Sequence, residues 1–319
     1  MNPTFKHFTS TGPVLKAVAA AVLLAIATGA QAQSHDPEDV EALREAAVEA
    51  LITAPPDRAL PLARKVVEGN YSDDLKERAL FVLSQIDRPQ AQEIILSLAR
   101  SGGGDLQEEA IRMIGISGNK DALAQLTTLF KEGDEDTRDA VMEAFLIADD
   151  EEAVYKLALE ADDEEVFTKA VETLGVMGAH EKLRQLRDQA KFTGSSANEA
   201  LIEAYAISGD FESLRVLAIN SSDTKSQLKA IEGLGIVGSK AADEALRDIY
   251  MATPKGDEGE VVREAVAEGL MISGNDEIML ELFRASENPA EKRMLLEYLV
   301  IMDSDAIWEV IDQALDGGR

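Results

Sequence analysis

A turn-forming residue recurs along the chain at Asp87, Gly118, Asp149, Gly178, Gly209, Gly238, Gly274 and Asp303, at intervals of 31, 31, 29, 31, 29, 36 and 29 residues. Four positions before each lies an apolar residue: Leu83, Ile114, Phe145, Leu174, Tyr205, Leu234, Leu270 and Leu299. Eight positions before lie Ala79, Ala110, Val141, Ala170, Leu201, Ala230, Val266 and Leu295, and eight after lie Ile95, Leu126, Leu157, Leu186, Leu217, Leu246, Leu282 and Ile311. Offsets of four and eight fall on one face of an α-helix, so each interval predicts two helices joined by a turn. Boundary signals agree. Asn288-Pro289-Ala290-Glu291 offers an N-cap, a proline at the first helical position and an acid at the third. Ser196-Ala197-Asn198-Glu199 reads as a second capping box, and Asp105, Asp162 and Asp257 each have a Glu three residues on. Breakers such as Gly102-Gly103-Gly104 and Thr253-Pro254 separate the units. No segment alternates with a period of two, so no sheet is expected.

The repeat resembles the HEAT-like units of bacterial solenoid proteins, which run R-x-x-A-x-x-x-L-G-x-x-G before a second helix opening on A-x-x-x-L. Leu174-Gly175-Val176-Met177-Gly178 and Leu234-Gly235-Ile236-Val237-Gly238 carry both glycines, as do Gly115 and Gly118. The alanine opening the second helix stands at Ala91, Ala122, Ala153 and Ala242. The arginine stands at Arg138 and Arg263, is replaced by Lys76 and Lys292, and is lost at Gln107, Phe167, Asn198 and Gln227. The resemblance spans about residues 40–315 and implies an all-α, right-handed α-solenoid of about eight to nine helical hairpins. Such hairpins cannot bury their apolar faces alone and must stack. At about 8–10 Å between packed helices, eight units make a rod on the order of 70–80 Å long. The body is expected over residues 40–319, with end-capping hairpins at Val40 to Gly69 and Asp303 to Arg319.

The first 32 residues contain no acid. Lys6 and Lys16 precede the apolar run Ala17 to Ala27, and Ala30-Gln31-Ala32 follows as an A-x-A site. This is the layout of a secretory signal peptide over residues 1–32, cleaved before Gln33. Eleven residues reach roughly 17 Å as a helix, short of a ~30 Å hydrocarbon core. Residues 33–39 are expected to form a flexible mature N-terminus. The destination expected is the periplasm, with the extracellular space as the alternative, and no later run is apolar enough to span a membrane.

Composition sharpens the functional reading. The chain of 319 residues carries 31 Lys+Arg against 60 Asp+Glu, a net charge of −29, which argues against nucleic acid as a partner. There is no cysteine, which excludes disulfides, thiolate catalysis and Cys-ligated metal sites. One histidine, His180, lies in the repeat body, since His7 falls in the signal peptide and His35 in the mature N-terminus. A catalytic triad or a His-rich metal site is therefore not expected, and no cofactor is implied. Among HEAT-like enzymes, deoxyhypusine hydroxylases bind di-iron through several His-Glu pairs; here His180-Glu181 is a single such pair.

Three segments stand out as candidates for binding. Between Glu132 and Glu165 lie 15 acids and two bases, among them Asp149-Asp150-Glu151-Glu152 and Asp162-Asp163-Glu164-Glu165. These read either as helix-start acids or as a weak Ca²⁺ site, although the helix between them holds the clusters roughly 15 Å apart. His180, Lys182, Arg184, Arg187 and Lys191 form a local basic stretch. Lys182, Arg184, Arg187 and Lys191 are the candidate partner-binding residues, with neutralisation of acids on the neighbouring hairpin as the alternative. The 36-residue interval before Gly274 holds the insertion Thr253 to Gly259. Together these features predict an exported, non-catalytic scaffold for an unidentified protein or peptide partner of basic character. A Ca²⁺-responsive structural protein and a carboxylate-based enzyme are the alternatives.

Overall fold

Helix after helix follows the predicted spacing. The computed structural model describes residues 37–189, 192, 194–303 and 305–316, so the expected signal peptide lies outside the described residues. Among the described residues there are 18 α-helices, one 3-10 turn at Leu51–Thr53, and no strand. One layer holds the first helices of the hairpins: α1 (Pro37–Ala50), α3 (Asp73–Ser84), α5 (Asp105–Ser117), α7 (Glu135–Ile147), α9 (Glu164–Met177), α11 (Ser195–Ser208), α13 (Thr224–Val237), α15 (Glu260–Ser273) and α17 (Pro289–Ile301). Each packs on the next in this series, from α1 on α3 to α15 on α17. The alternate helices are α2 (Pro56–Val67), α4 (Pro89–Ser101), α6 (Lys120–Glu132), α8 (Glu151–Glu160), α10 (His180–Gln189), α12 (Phe211–Asn220), α14 (Lys240–Ala252), α16 (Asp276–Ala285) and α18 (Asp305–Asp316). Of these, α4 to α10 pack in sequence, as do α12 to α16, forming a second layer. The chain is an all-α solenoid. Its first helix begins at Pro37, three residues ahead of the expected body.

The predicted core positions hold. All sixteen apolar residues four and eight places before the turns are buried, and of those eight places after, only Leu217 and Ile311 are partly exposed. Seven of the eight turn residues adopt the left-handed conformation, with φ of 60° at Gly118 and 80° at Gly209, and 55° and 53° at Asp149 and Asp303. Asp87 is the exception. There α3 already ends at Ser84, and Pro89 holds Arg88 extended at φ −143°, so the turn closes by a different route.

Close approach within the first layer explains the inner glycine of the repeat. A Cβ on Gly235 would stand 2.5 Å from the carbonyl oxygen of Gly269, and one on Gly175 would stand 2.9 Å from Ala204 Cα. Only a hydrogen fits at such a crossing.

The outer position of the family arginine also has a visible role. Arg138 Nε donates to the Phe130 carbonyl at 3.3 Å, and Arg263 donates to the Thr253 carbonyl at 2.6 Å. Gln107 and Gln227, where the arginine is lost, donate through Nε2 to the carbonyls of Ala99 and Ala218 at 3.0 and 2.9 Å. Each of these side chains ties a first helix to the carbonyl end of the preceding second helix, satisfying an acceptor that helix geometry leaves open. Glutamine therefore keeps the hydrogen bond and gives up only the charge.

Several boundary expectations need correction. The N-caps at the expected capping boxes are Gly104, Asp163, Gly194 and Gly259, one or two residues from the predicted positions. At α11 the free Ala197 N–H donates to Glu164 Oε1 of α9 at 3.1 Å, so the cap is supplied by the neighbouring hairpin. Asn288 does cap α17 through Ala290 N–H at 2.9 Å, but Glu291 turns away to Arg263 and to Ser286.

Candidate interaction surface

The acidic segment is distributed over three helix starts. Asp134, Asp150 and Asp163 each accept a backbone N–H of the first turn they precede, from Thr137 at 3.0 Å, Ala153 at 3.1 Å and Val166 at 2.8 Å. Hydrogen bonds from Thr137 hold the Asp134 carboxyl below the usual carboxylate range. Lys131 pairs with Glu160 at 2.7 Å and Lys169 with Asp139 at 3.1 Å. Among the described residues, no group of three or more His, Asp or Glu side chains converges as an ion would require.

The basic stretch lies on α10, between the acids of α8 and those of α12. Lys182 donates to Glu152 and stands 4.6 Å from the centroid of the Tyr155 ring. That hydrogen bond raises the Lys182 pKa and lowers that of Glu152. Arg184 grips Asp210 with both arms of its guanidinium, Nε to Oδ2 at 2.8 Å and Nη2 to Oδ1 at 2.6 Å. The Asp210 side chain is 1% exposed, against 38% for Arg184. Ser213 donates its hydroxyl to Asp210 Oδ2 at 2.7 Å, and its backbone N–H to Oδ1 at 3.3 Å. Burial pushes the Asp210 carboxyl up, but the hydrogen bonds from Arg184 and Ser213 outweigh it and the net displacement is downward. This clamp joins α10 to α12. Arg187 is half exposed beside Asp188 at 3.2 Å, and Lys191 lies outside the described residues. His180 donates through Nε2 to the Ser208 carbonyl at 2.7 Å, which fixes its tautomer and links α10 to the end of α11. Of the four candidate residues, Lys182 and Arg184 are thus paired with acids of neighbouring hairpins.

With α10 counted in the second, the two layers differ in charge. The helices α3 to α17 of the first layer carry 21 acids against 10 bases, while α4 to α16 of the second carry 15 against 11. Grooves run between neighbouring first helices. One of about 260 Å³ lies between α7 and α9, lined by Glu135, Arg138, Asp139, Asp163, Glu165 and Lys169. Another of about 380 Å³ lies between α15 and α17, where Gly256 and Asp257 of the insertion meet Glu260, Glu264 and Arg293. The surface offers an extended, mostly acidic set of grooves.

Residues 60–146 match the family described as HEAT repeats. No curated protein matches the chain in sequence. Among solved structures, the fold is similar to Kap121p bound to Pho4p, at 12% identity and a TM-score of 0.50, over 94% of this chain and 39% of Kap121p. The chain thus spans well under half the length of that protein. Looser similarity extends to human deoxyhypusine hydroxylase in complex with glycerol, at 16% identity and a TM-score of 0.32, over 84% of this chain and 98% of that one. The CpcE and CpcF complex of phycocyanin lyase from Nostoc sp. is similar at 16% identity and a TM-score of 0.33, over 78% of this chain and 95% of that one.

Proposed function

We propose, from the premise that the chain is a solenoid of HEAT-like repeats, that it is an exported, non-catalytic scaffold holding a basic protein partner. The observation that carries this reading is the acidic first-helix layer, 21 acids against 10 bases over eight helices, six of which carry more acids than bases. An extended surface of one sign attracts a partner of the other and repels nucleic acid and anionic lipid. Protein binding by this architecture has a precedent in the Kap121p structure, where the solenoid is bound to Pho4p. The A-x-A site at Ala30-Gln31-Ala32 supports export to the periplasm.

Expression of the whole chain with a C-terminal tag tests both halves. Export predicts a periplasmic product whose N-terminal residue is Gln33, read by mass spectrometry. Scaffolding predicts a protein recovered by pull-down at low salt and released at high salt. A cytoplasmic product still beginning at Met1 overturns export, and recovery of no partner at either salt overturns scaffolding.

A further inference from the structure

Two places before each left-handed turn residue, at the last or penultimate position of the first helix, the chain carries Ile116, Ile147, Val176, Ile207, Ile236, Ile272 and Ile301. These seven side chains are between 42% and 68% exposed. At 100° per residue they point away from the buried residues two places earlier, so the core does not ask for them. The residue one turn earlier shares their face. It is Arg112 in α5 and then, without interruption, Glu143, Glu172, Glu203, Glu232, Glu268 and Glu297, all six exposed. The first layer therefore presents two parallel ladders, one β-branched and apolar, one acidic. β-Branched residues on a solvated helix face are poor helix formers and leave apolar surface in water, so seven equivalent ones form a surface with a use.

We infer that this face docks a basic amphipathic helix of a partner protein, whose apolar stripe lies along the isoleucine ladder and whose lysines and arginines lie along the glutamates. This deepens the scaffold reading and rests on it. Three observations choose the occupant. First, a groove of about 260 Å³ between α11 and α13 is lined by Glu203 and Ile207 of α11 and by Lys229, Glu232 and Ile236 of α13, so each wall already brings an apolar and an acidic side chain into one depression. Second, three of the glutamates are held loosely: Glu143 stands 3.4 Å from Arg112, and Glu203 and Glu232 each stand 3.5 Å from Lys229, with side chains half exposed, whereas Glu268 accepts from Tyr298 at 3.1 Å and Glu297 pairs with Arg293 at 3.0 Å. Cations of a partner can therefore join or replace these contacts. Third, rungs on helices packed about 8–10 Å apart match the ~10.5 Å advance of seven residues of an α-helix, so a heptad-patterned helix lying across the layer meets one rung per two turns. A second copy of this chain would set glutamate against glutamate, and an anionic lipid surface would be repelled.

The test uses a synthetic four-heptad peptide with leucines on one stripe and lysines beside it, and an isomer of the same composition with the order scrambled. Binding to the mature chain is followed by titration calorimetry. The patterned peptide should bind at least tenfold more tightly than the scrambled one. The triple variant Ile207→Thr, Ile236→Thr, Ile272→Thr should lose at least tenfold for the patterned peptide. The variant Glu203→Gln, Glu232→Gln, Glu268→Gln should lose much of the salt dependence. Equal binding of the two peptides, unchanged binding by the threonine variant, or no binding by wild type would overturn the inference. So would a wild-type dimer that the threonine variant dissolves, or binding to anionic vesicles in preference to the peptide. The peptide comparison needs only wild type and stands if a variant fails to fold. A natural partner retained by the threonine variant would remove this face and leave the scaffold reading intact.

Discussion

Replacing Gly235 with valine addresses the interface that the array depends on most visibly. Its Cβ would stand 2.5 Å from the Gly269 carbonyl oxygen and 2.7 Å from its Cα, both backbone atoms that no rotamer change can move. Relief requires α13 and α15 to separate by about 1 Å, enough to forfeit a quarter to a half of each dispersion contact across the crossing. Overpacking of this kind costs about 1–3 kcal/mol, and valine recovers only a few tenths from its better helix propensity. A net loss of about 1–2.5 kcal/mol at one nearest-neighbour interface loosens everything C-terminal to it. The single tryptophan, Trp308 on α18, reports on that end, where its Nε1 donates to Asp303 at 3.3 Å. Urea unfolding followed by Trp308 fluorescence should shift to lower denaturant by about 1 M, at a slope of about 2 kcal/mol per molar. Far-UV circular dichroism, which sums all hairpins, should shift less. The control is Gly103→Val, at a site with no atom within 4 Å of the new Cβ. Coincident midpoints for Gly235→Val and wild type by both probes, or an equal shift from Gly103→Val, would refute the account of the crossing.

Three further outcomes follow from named contacts. The folded Asp210 carboxyl titrates below its unfolded value, so its contribution is fully present above about pH 4 and is lost as pH falls through the lower folded pKa. Asp210→Asn should flatten the acid side of the melting-temperature profile and cost about 1–3 kcal/mol at neutral pH, a range lowered because half-exposed Arg184 regains water. Gln107→Ala and Gln227→Ala should each cost about 1 kcal/mol in thermal unfolding, whereas Gln107→Arg should leave stability unchanged, because either side chain can reach the carbonyl of the preceding helix. Millimolar calcium should move the melting temperature by less than about one degree, since Asp134, Asp150 and Asp163 already accept helix N–H groups; a shift of several degrees would refute their reading as caps.

The hairpins were legible because burial repeats at a helical offset. Leu174 and Leu234 are fully buried for the same reason they recur in sequence: each fills the seam between two helices of its own unit and the next. Helix starts were less legible, since an acid three residues from a Ser or Asp fits several registers and tertiary contacts choose among them. Glu164 caps α11 from the neighbouring hairpin, a relation thirty-three residues long that no local motif records. The basic stretch posed the same difficulty. Lys182 and Arg184 share a helix, but their partners Glu152 and Asp210 sit one repeat to either side, so the sequence showed the charges together and not what takes them up.

The acidity of the chain separates into two kinds once each carboxylate is placed. Acids at helix starts, such as Asp150 and Asp163, are tied to backbone N–H groups and belong to the architecture. The glutamates at Glu143, Glu172, Glu203, Glu232, Glu268 and Glu297 lie in the interior of their helices, far from any free N–H, and face solvent. No capping role accounts for them. Reading the repeat for its core selects the offsets four and eight places before the turn, and the offsets two and six places before it fall on the opposite side of the same helix. A repeat that specified only stacking would leave those outward positions free to vary in chemistry. Here they do not vary: from α7 to α17 every first helix presents one glutamate and, one turn on, one isoleucine or valine. Internal regularity at positions the fold does not use is a signal of binding that needs no alignment, because each hairpin serves as the comparison for the next.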